Sequence, residues 1–405
     1  MKKILFAFLV SSFLSVSVAQ AGDSKAGGLE LSGNIDVVTG WQHDGKNSAG
    51  DSAGGQLGWF RGATAPGQDT FNFYVDQVEL DLNKTFGENI RIRADLDFGR
   101  QLSGSGRNTN SAAPFAAAGF SNFELEQGYV TANLGGAEFL IGRFNAPIGY
   151  YVVDRGDNPT ISFSENFNYL TPTNMTGAKI YYSFNSLVDW HVYVVNSLAD
   201  SVAFGTTTQA GAPANPGGLT NGAYSAIPSY GMRLGFNWGA DDTKSTFGIS
   251  YAGGPERFGC HAGTTGCNRH LTHIVDLDWA VKFTPALLFA GEGTFRQDNA
   301  ITGRDDKAFA AFALLNYDIN STWRVYGRFG WMQDKTGYYT GAINPLTGAS
   351  LSQNIYDGAV GFGYQITEGA KLKVEYSPTI FTPRKAPRVG TAWSNGFALE
   401  MAYNF

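Results

Sequence analysis

The chain has 405 residues, a formal net charge of −6 and only 16% charged residues, yet 52 glycines, 30 phenylalanines and 19 tyrosines. An acidic balance without a basic surface excludes the electrostatic footprint of a nucleic-acid binder, so no nucleic acid is expected as a partner. Abundant glycine and aromatic residues at modest charge suit a wall one residue thick, apolar on one side and polar on the other.

At the amino terminus, Lys2 and Lys3 precede an apolar run from Ile4 to Val18, broken only by serines, which leads to Ala19-Gln20-Ala21. A charged n-region, an apolar h-region and an A-x-A site identify residues 1–21 as a secretory signal peptide. The run falls short of the roughly 20 residues a transmembrane helix needs. Its removal deletes two lysines and no acid, taking the charge from −6 to −8. Residues 22–405 hold no apolar run of about 18 residues, so no helix is expected to cross a membrane. Few residues separate Gly22 from the first strand near Leu29, so neither a plug nor a periplasmic accessory domain is expected before a single domain over 22–405.

Side chains alternate faces along a strand, and this chain alternates repeatedly. Ile90, Ile92, Ala94, Leu96 and Phe98 oppose Arg91, Arg93, Asp95 and Asp97. Met232, Leu234, Phe236 and Trp238 oppose Arg233, Gly235 and Asn237. Val275, Leu277, Trp279, Val281 and Phe283 oppose Asp276, Asp278, Ala280 and Lys282, and Trp323, Val325, Phe329 and Trp331 oppose Arg324, Tyr326 and Arg328. Leu372, Val374 and Tyr376 oppose Lys371, Lys373 and Glu375. The last nine residues are the clearest case: Phe397, Leu399, Met401, Tyr403 and Phe405 face away from Ala398, Glu400, Ala402 and Asn404.

One such strand would suit a half-solvated soluble sheet. Many of them, charged on one face and aromatic on the other, are the mark of a transmembrane antiparallel up-and-down β-barrel. About sixteen strands are expected, beginning near Leu29, Phe71, Glu88, Asn122, Ala137, Thr176, Leu187, Ser229, Thr243, Leu271, Pro285, Lys307, Thr322, Asn354, Ala370 and Asn395. Every second connection is tight, at Thr85–Gly87, Gly135-Gly136, Asn185-Ser186, Ala240–Asp242, Thr284-Pro285, Asn320-Ser321 and Thr367–Gly369, with residues that hairpin turns need. The others are mostly long, over 42–69, 102–121, 145–174, 198–228, 253–270, 334–353 and 382–394. Short turns on one side and long loops on the other match the periplasmic and extracellular ends of a Gram-negative outer-membrane barrel, and an even strand count puts both termini in the periplasm. A soluble β-sandwich or β-helix would not predict outward Trp and Phe on nearly every strand.

The inner-facing basic residues are Arg91, Arg93, Arg143, Arg233, Arg296, Arg324, Arg328, Lys371 and Lys373; Asp95, Asp97, Asp276, Asp278, Glu292, Glu375 and Glu400 accompany them. A water-filled lumen must be polar in any case, but fixed charge in a narrow pore also sets ion preference. Cys260 and Cys267 lie in one loop of an exported chain, where a disulfide closing a small ring is the favoured reading. A metal site from Cys260, His261, Cys267 and His270 is the alternative, at a spacing unlike the usual zinc patterns. No metal and no cofactor are expected. The other histidines, His43, His191 and His273, show no spacing with a nucleophile, and no G-x-S-x-G occurs, so no enzyme is expected.

The stretch Phe139-Leu-Ile-Gly142-Arg143-Phe-Asn-Ala-Pro147-Ile-Gly149-Tyr150, followed by Asp154, Asn158, Pro172 and Thr176-Gly177, resembles the OmpL-like β-barrel porins. In these a G-[KR]-F-x-x-P-x-G element ends a strand and a Tyr/Pro/Gly segment leads into the next. Where members often carry Glu after the second glycine, this chain has Tyr150. The resemblance implies a third loop, 145–174, that folds into the lumen and constricts it, and a homotrimer. Proline and aromatic residues along that loop agree, because docking on the inner wall would bury apolar area. Asp154, Arg155 and Asp157 are expected to face Arg91, Arg93, Arg324 and Arg328 across the constriction, with Arg143 also lining it.

Together these readings describe a porin in contact with outer-membrane lipid, passing ions and small hydrophilic solutes by diffusion. One alternative is a substrate-selective channel for a sugar or an anion, with Tyr150, Tyr151, Phe167 and Tyr169 as a stacking track for sugars. Another is a non-conducting surface adhesin or receptor that acts through its long loops.

Overall fold

A computed structural model describes residues 28–44, 69–99, 123–198, 227–258, 268–300, 305–337, 339, 352–383 and 392–405. The expected signal peptide at 1–21, Cys260, His261 and Cys267 lie outside the described residues, as does the side chain of His270.

Among the described residues sixteen strands follow one another. They are Leu29–Asp44 (β1), Asp69–Phe86 (β2), Ile90–Gly99 (β3), Phe123–Leu134 (β4), Ala137–Asn145 (β5), Asn174–Ser183 (β6), Val188–Val195 (β7) and Ser229–Trp238 (β8). The second half comprises Ser245–Phe258 (β9), Asn268–Lys282 (β10), Leu287–Ala300 (β11), Asp305–Asp318 (β12), Trp323–Asp334 (β13), Gln353–Thr367 (β14), Ala370–Pro383 (β15) and Ala392–Asn404 (β16). Each pairs antiparallel with its neighbours in sequence, and β1 pairs with β16, closing the barrel. Closure leaves no open edge, which a sheet in lipid requires because unpaired backbone groups there have no water to turn to. The seam is completed by Phe405, whose N–H donates to the Gly33 carbonyl at 2.9 Å while the Gly33 N–H donates back at 3.0 Å.

Pairing keeps the two faces distinct. Phe71, Phe73, Ile141, Phe283, Phe329, Val360 and Phe397 are exposed on the outer face, whereas Asp95, Asp97, Asp276, Glu292, Glu375 and Glu400 are buried. So much exposed apolar area over one continuous face calls for an apolar solvent. The tight connections use the turn chemistry expected of them. Gly135 and Gly136, at φ 60° and 86°, make the two-residue turn between β4 and β5 whose backbone suits the twist of a hairpin. At Ala240–Asp242 the expected hairpin turn is instead a 3-10 turn over Asp241–Thr243, because Thr243 closes on Ala240 through both its backbone N–H and its hydroxyl.

Among the described residues the register shifts at three places, one of them between Gln365 and Thr367 beside the β14–β15 turn and two within the wall. Asp36 pairs with Gln77 but Val37 with Val75, leaving Asp76 as the extra residue of β2. Asp95 pairs with Gln127 but Leu96 with Leu125, leaving Glu126 as the extra residue of β4. A bulge re-aims its side chain, and both carboxylates are buried.

Candidate pore constriction

The third long connection, between Asn145 at the end of β5 and Asn174 at the start of β6, lies against the inner wall. It joins adjacent strands yet touches β11, β13 and β15 across the barrel and β2 nearer its start, a path open only through the interior of a closed barrel. Its departure depends on two glycines. At Gly142, φ 141°, a Cβ would come within 2.2 Å of the Gly128 carbonyl across the ladder. At Gly149, φ 88°, the backbone takes a left-handed turn and a Cβ would meet the Glu292 carboxylate at 3.0 Å. The chain then passes to β11, where the Tyr150 N–H donates to Glu292 Oε2 at 2.8 Å.

Apolar contacts hold the loop at four places. Ile148 packs with Phe144, Met175, Tyr193, Ala252 and Ile274. Tyr151, Phe163 and Phe167 form an aromatic cluster with Phe312, Leu314 and Tyr326, in which Phe163 and Phe167 stack at 4.3 Å. Ile161 sits between Val38 and Ala398 at the barrel seam. A single π-helical turn, Asn166–Leu170, places Tyr169 and Leu170 against Ala310, Met332 and Ile355. Fully burying one large apolar side chain contributes about 1.5–3 kcal/mol, so these anchors offset part of the chain entropy lost when the loop is ordered.

Polar contacts fix the orientation. Arg155, in a 3-10 turn over Arg155–Asp157, donates Nε to Asp76 Oδ2 at 2.5 Å and Nη1 to the Ile161 carbonyl at 2.7 Å, with its guanidinium over the Phe163 ring. Arg328 donates to Tyr151 Oη at 2.9 Å and Ser162 Oγ at 3.0 Å while held by Asp357 at 2.8 Å. Glu375 accepts from the Ile161 N–H at 2.7 Å, the Ser162 N–H at 3.1 Å and the Tyr326 hydroxyl at 3.0 Å. Lys373 bridges Glu400 at 2.7 Å and the carbonyls of Arg155 and Gly156 at 3.2 Å. Burial pushes the Tyr150 and Tyr151 phenols up, with Arg328 opposing the shift at Tyr151.

The expected pairing of loop acids with wall arginines does not form. Asp154 accepts from Gln77 Nε2 at 2.8 Å, and Asp157 meets Lys371 at 3.2 Å and Asn404 at 3.0 Å. Arg93 is bound by Asp95 at 2.7 Å and Asp81 at 3.3 Å, Arg91 lies 3.9 Å from Glu138, and Arg324 pairs with Asp318 at 2.7 Å. Position along the strands explains this. Arg324 is four residues below Arg328, about 13 Å at the usual strand rise, and Arg91 is about 20 Å below Asp97; both belong to the short-turn end. Arg143 is not on the lumen face: the register puts it with Ile141, opposite Leu140 and Phe144, and its Nε donates to the Leu125 and Glu126 carbonyls at 2.9 and 3.0 Å. Of the eight candidates, Asp154, Arg155, Asp157 and Arg328 therefore come together around the loop.

Sequence reasoning missed Asp76, Gln77, Glu79 and Glu126. Asp76 and Glu126 sit on bulges, where strict alternation assigns the wrong face. The proposed sugar track is also altered: Tyr151, Phe167 and Tyr169 are buried, at 5%, 5% and 7% exposure, in contacts that pin the loop, so their faces are not available for stacking.

Solved structures share this architecture. The outer membrane channel DcaP of Acinetobacter baumannii superposes with a TM-score of 0.60 at 12% identity, covering 95% of this chain and 100% of that one. An anion-selective porin from Comamonas acidovorans gives 0.56 at 10% identity, covering 93% and 99%. The trimer form of OmpT, an outer membrane protein of Vibrio cholerae, gives 0.51 at 12% identity, covering 94% and 100%. No curated protein sequence matches the chain. The family described as "Putative beta-barrel porin-2, OmpL-like" matches residues 28–405, and the chain belongs to that family of outer-membrane channels.

Proposed function

We propose that the protein is a passive diffusion porin for ions and small hydrophilic solutes, exported by the signal peptide at 1–21 and inserted with both termini in the periplasm. The third loop narrows its lumen. The observation that carries this reading is the loop's path across the barrel, fastened by the buried pair Arg155 and Asp76 and by the Arg328 fork. A loop used only for adhesion at the cell surface would have no reason to bury its polar groups on the far wall. In this reading Asp154, Arg155, Asp157 and Arg328 border the constriction, while Arg91, Arg93 and Arg324 charge the wall on its periplasmic side. A trimer is proposed by analogy with the OmpT trimer form.

Planar-bilayer recording on the refolded mature protein tests the reading. Discrete conductance steps are expected, and removing Asp154 to Asn158 is expected to enlarge them. A silent bilayer with correctly folded protein would overturn the channel reading in favour of a surface adhesin. Unchanged conductance in the deletion would overturn the constriction.

A further inference from the structure

The wall beneath the loop carries an acidic pocket that the channel reading does not use. One carboxylate oxygen from each of Glu79 on β2, Glu126 on the β4 bulge and Asp154 on the loop lie within 4.8 Å of one another. Glu79 accepts from Asn34 Nδ2, and Glu126 Oε1 accepts from Asn145 Nδ2 at 2.8 Å. Among the described residues none of the three carboxylates forms an ion pair with a basic side chain. The neighbouring trio of Glu79, Asp81 and Asp95 differs, because Arg93 already pairs with Asp81 and Asp95.

Two buried side-chain oxygens of residues at the pocket have no hydrogen-bond partner. Glu126 is 0% exposed and its Oε2 accepts no hydrogen bond. Gln77 is 1% exposed; its Nε2 ties Asp154 to Asp97, and its Oε1 also accepts none. Several buried carboxylates without a countercharge are costly unless they hold protons or a cation. The donors are all oxygens, which suits a hard divalent cation, and a pocket that offers several protein oxygens from buried side chains suits Ca²⁺ better than Mg²⁺, which dehydrates reluctantly and prefers to keep its waters.

We infer that Glu79, Glu126 and Asp154, with the carbonyl oxygen of Gln77, form a calcium site that clips the third loop to the wall between β2 and β4. The β4 bulge then has a purpose, because without it Glu126 would face the lipid side of the strand. The inference concerns binding alone and stands whether or not the barrel conducts.

Calcium titration by calorimetry into the refolded, detergent-solubilised full-length mature protein, stripped with EDTA, provides the test. One site per chain is expected, weakened at least tenfold in both Glu126→Gln and Asp154→Asn and retained in Asp157→Asn, which alters a loop acid outside the pocket. Heat-modifiable gel mobility checks folding; because Asp154 lies on the loop, its variant leaves the wall intact if Glu126→Gln fails to fold. Absence of calcium binding in the unaltered protein would overturn the site and leave shared protons as the source of neutrality. Equal binding in the unaltered protein and in Asp154→Asn would overturn it as well.

Discussion

Arg155 on the third loop and Asp76 on β2 are 79 residues apart in sequence, and Arg155 Nε lies 2.5 Å from Asp76 Oδ2 with both side chains almost wholly enclosed. The pair exists because Asp76 is the extra residue of a bulge, turned to the lumen between Val75, which faces lipid, and Gln77, which also faces inward. Removing one partner of a buried pair strands the other charge and costs about 3–5 kcal/mol, far more than the pair contributes relative to an apolar substitute. Arg155→Met should therefore undock the loop while leaving the barrel assembled, read as larger and noisier single-channel conductance. Arg155→Met combined with Asp76→Asn should recover part of the loss, and a double-mutant cycle measures the coupling.

Arg328 should not tolerate lysine. Its fork reaches Tyr151, Ser162 and Asp357 together, and a single ammonium on a flexible stem cannot reproduce that geometry. Each lost hydrogen bond to a charged group contributes about 1.5–3 kcal/mol. Arg328→Lys should lower the thermal midpoint of the detergent-solubilised protein and enlarge the channel, although the lumen keeps its charge. A variant with unaltered stability and conductance would count against Arg328 as a loop clamp.

The wall was legible in the sequence and the site only in part, for one physical reason. Alternation with period two places every residue of a regular strand, so Phe397 against Ala398, or Val374 against Lys373, could be assigned without a structure. Gly135-Gly136 likewise marked a turn through its backbone freedom alone. Alternation fails where the strand is irregular. Asp76 and Glu126 escaped notice because bulges shift the count, and Arg143 was assigned to the lumen, whereas its register puts it on the face of Ile141. Pairings between a loop and a distant wall, such as Ser162 with Glu375, depend on height along the strand, which no local pattern records.

Gly149 should resist substitution more than Gly156. At φ 88° an L side chain is strained, by about 1–2 kcal/mol for a left-handed conformation, and the new methyl would also press on the carboxylate that accepts the Tyr150 N–H. At Gly156 the added methyl meets only the Ala402 methyl at 3.2 Å. Gly149→Ala is expected to lower the thermal midpoint and raise conductance, and Gly156→Ala to change both less. The reverse order would mean that the loop does not turn at Gly149.

The docked loop should also respond to pH through Asp154. Burial holds its carboxyl above the ordinary aspartate range, a shift opposed in part by hydrogen bonding to Glu79 and Gln77 and increased by Asp157 and Asp81. The docked state therefore binds the proton more tightly than a freed loop does. This contribution to docking is complete below the ordinary aspartate range and is lost as pH rises through the raised value. With chelator present, conductance should increase as pH rises above the ordinary aspartate range, and Asp154→Asn, which cannot ionise, should flatten that rise. If calcium occupies the pocket, adding it at the high-pH end should restore the low-pH conductance in the unaltered protein but not in the variant. A pH profile that Asp154→Asn leaves unchanged would assign the response to another group.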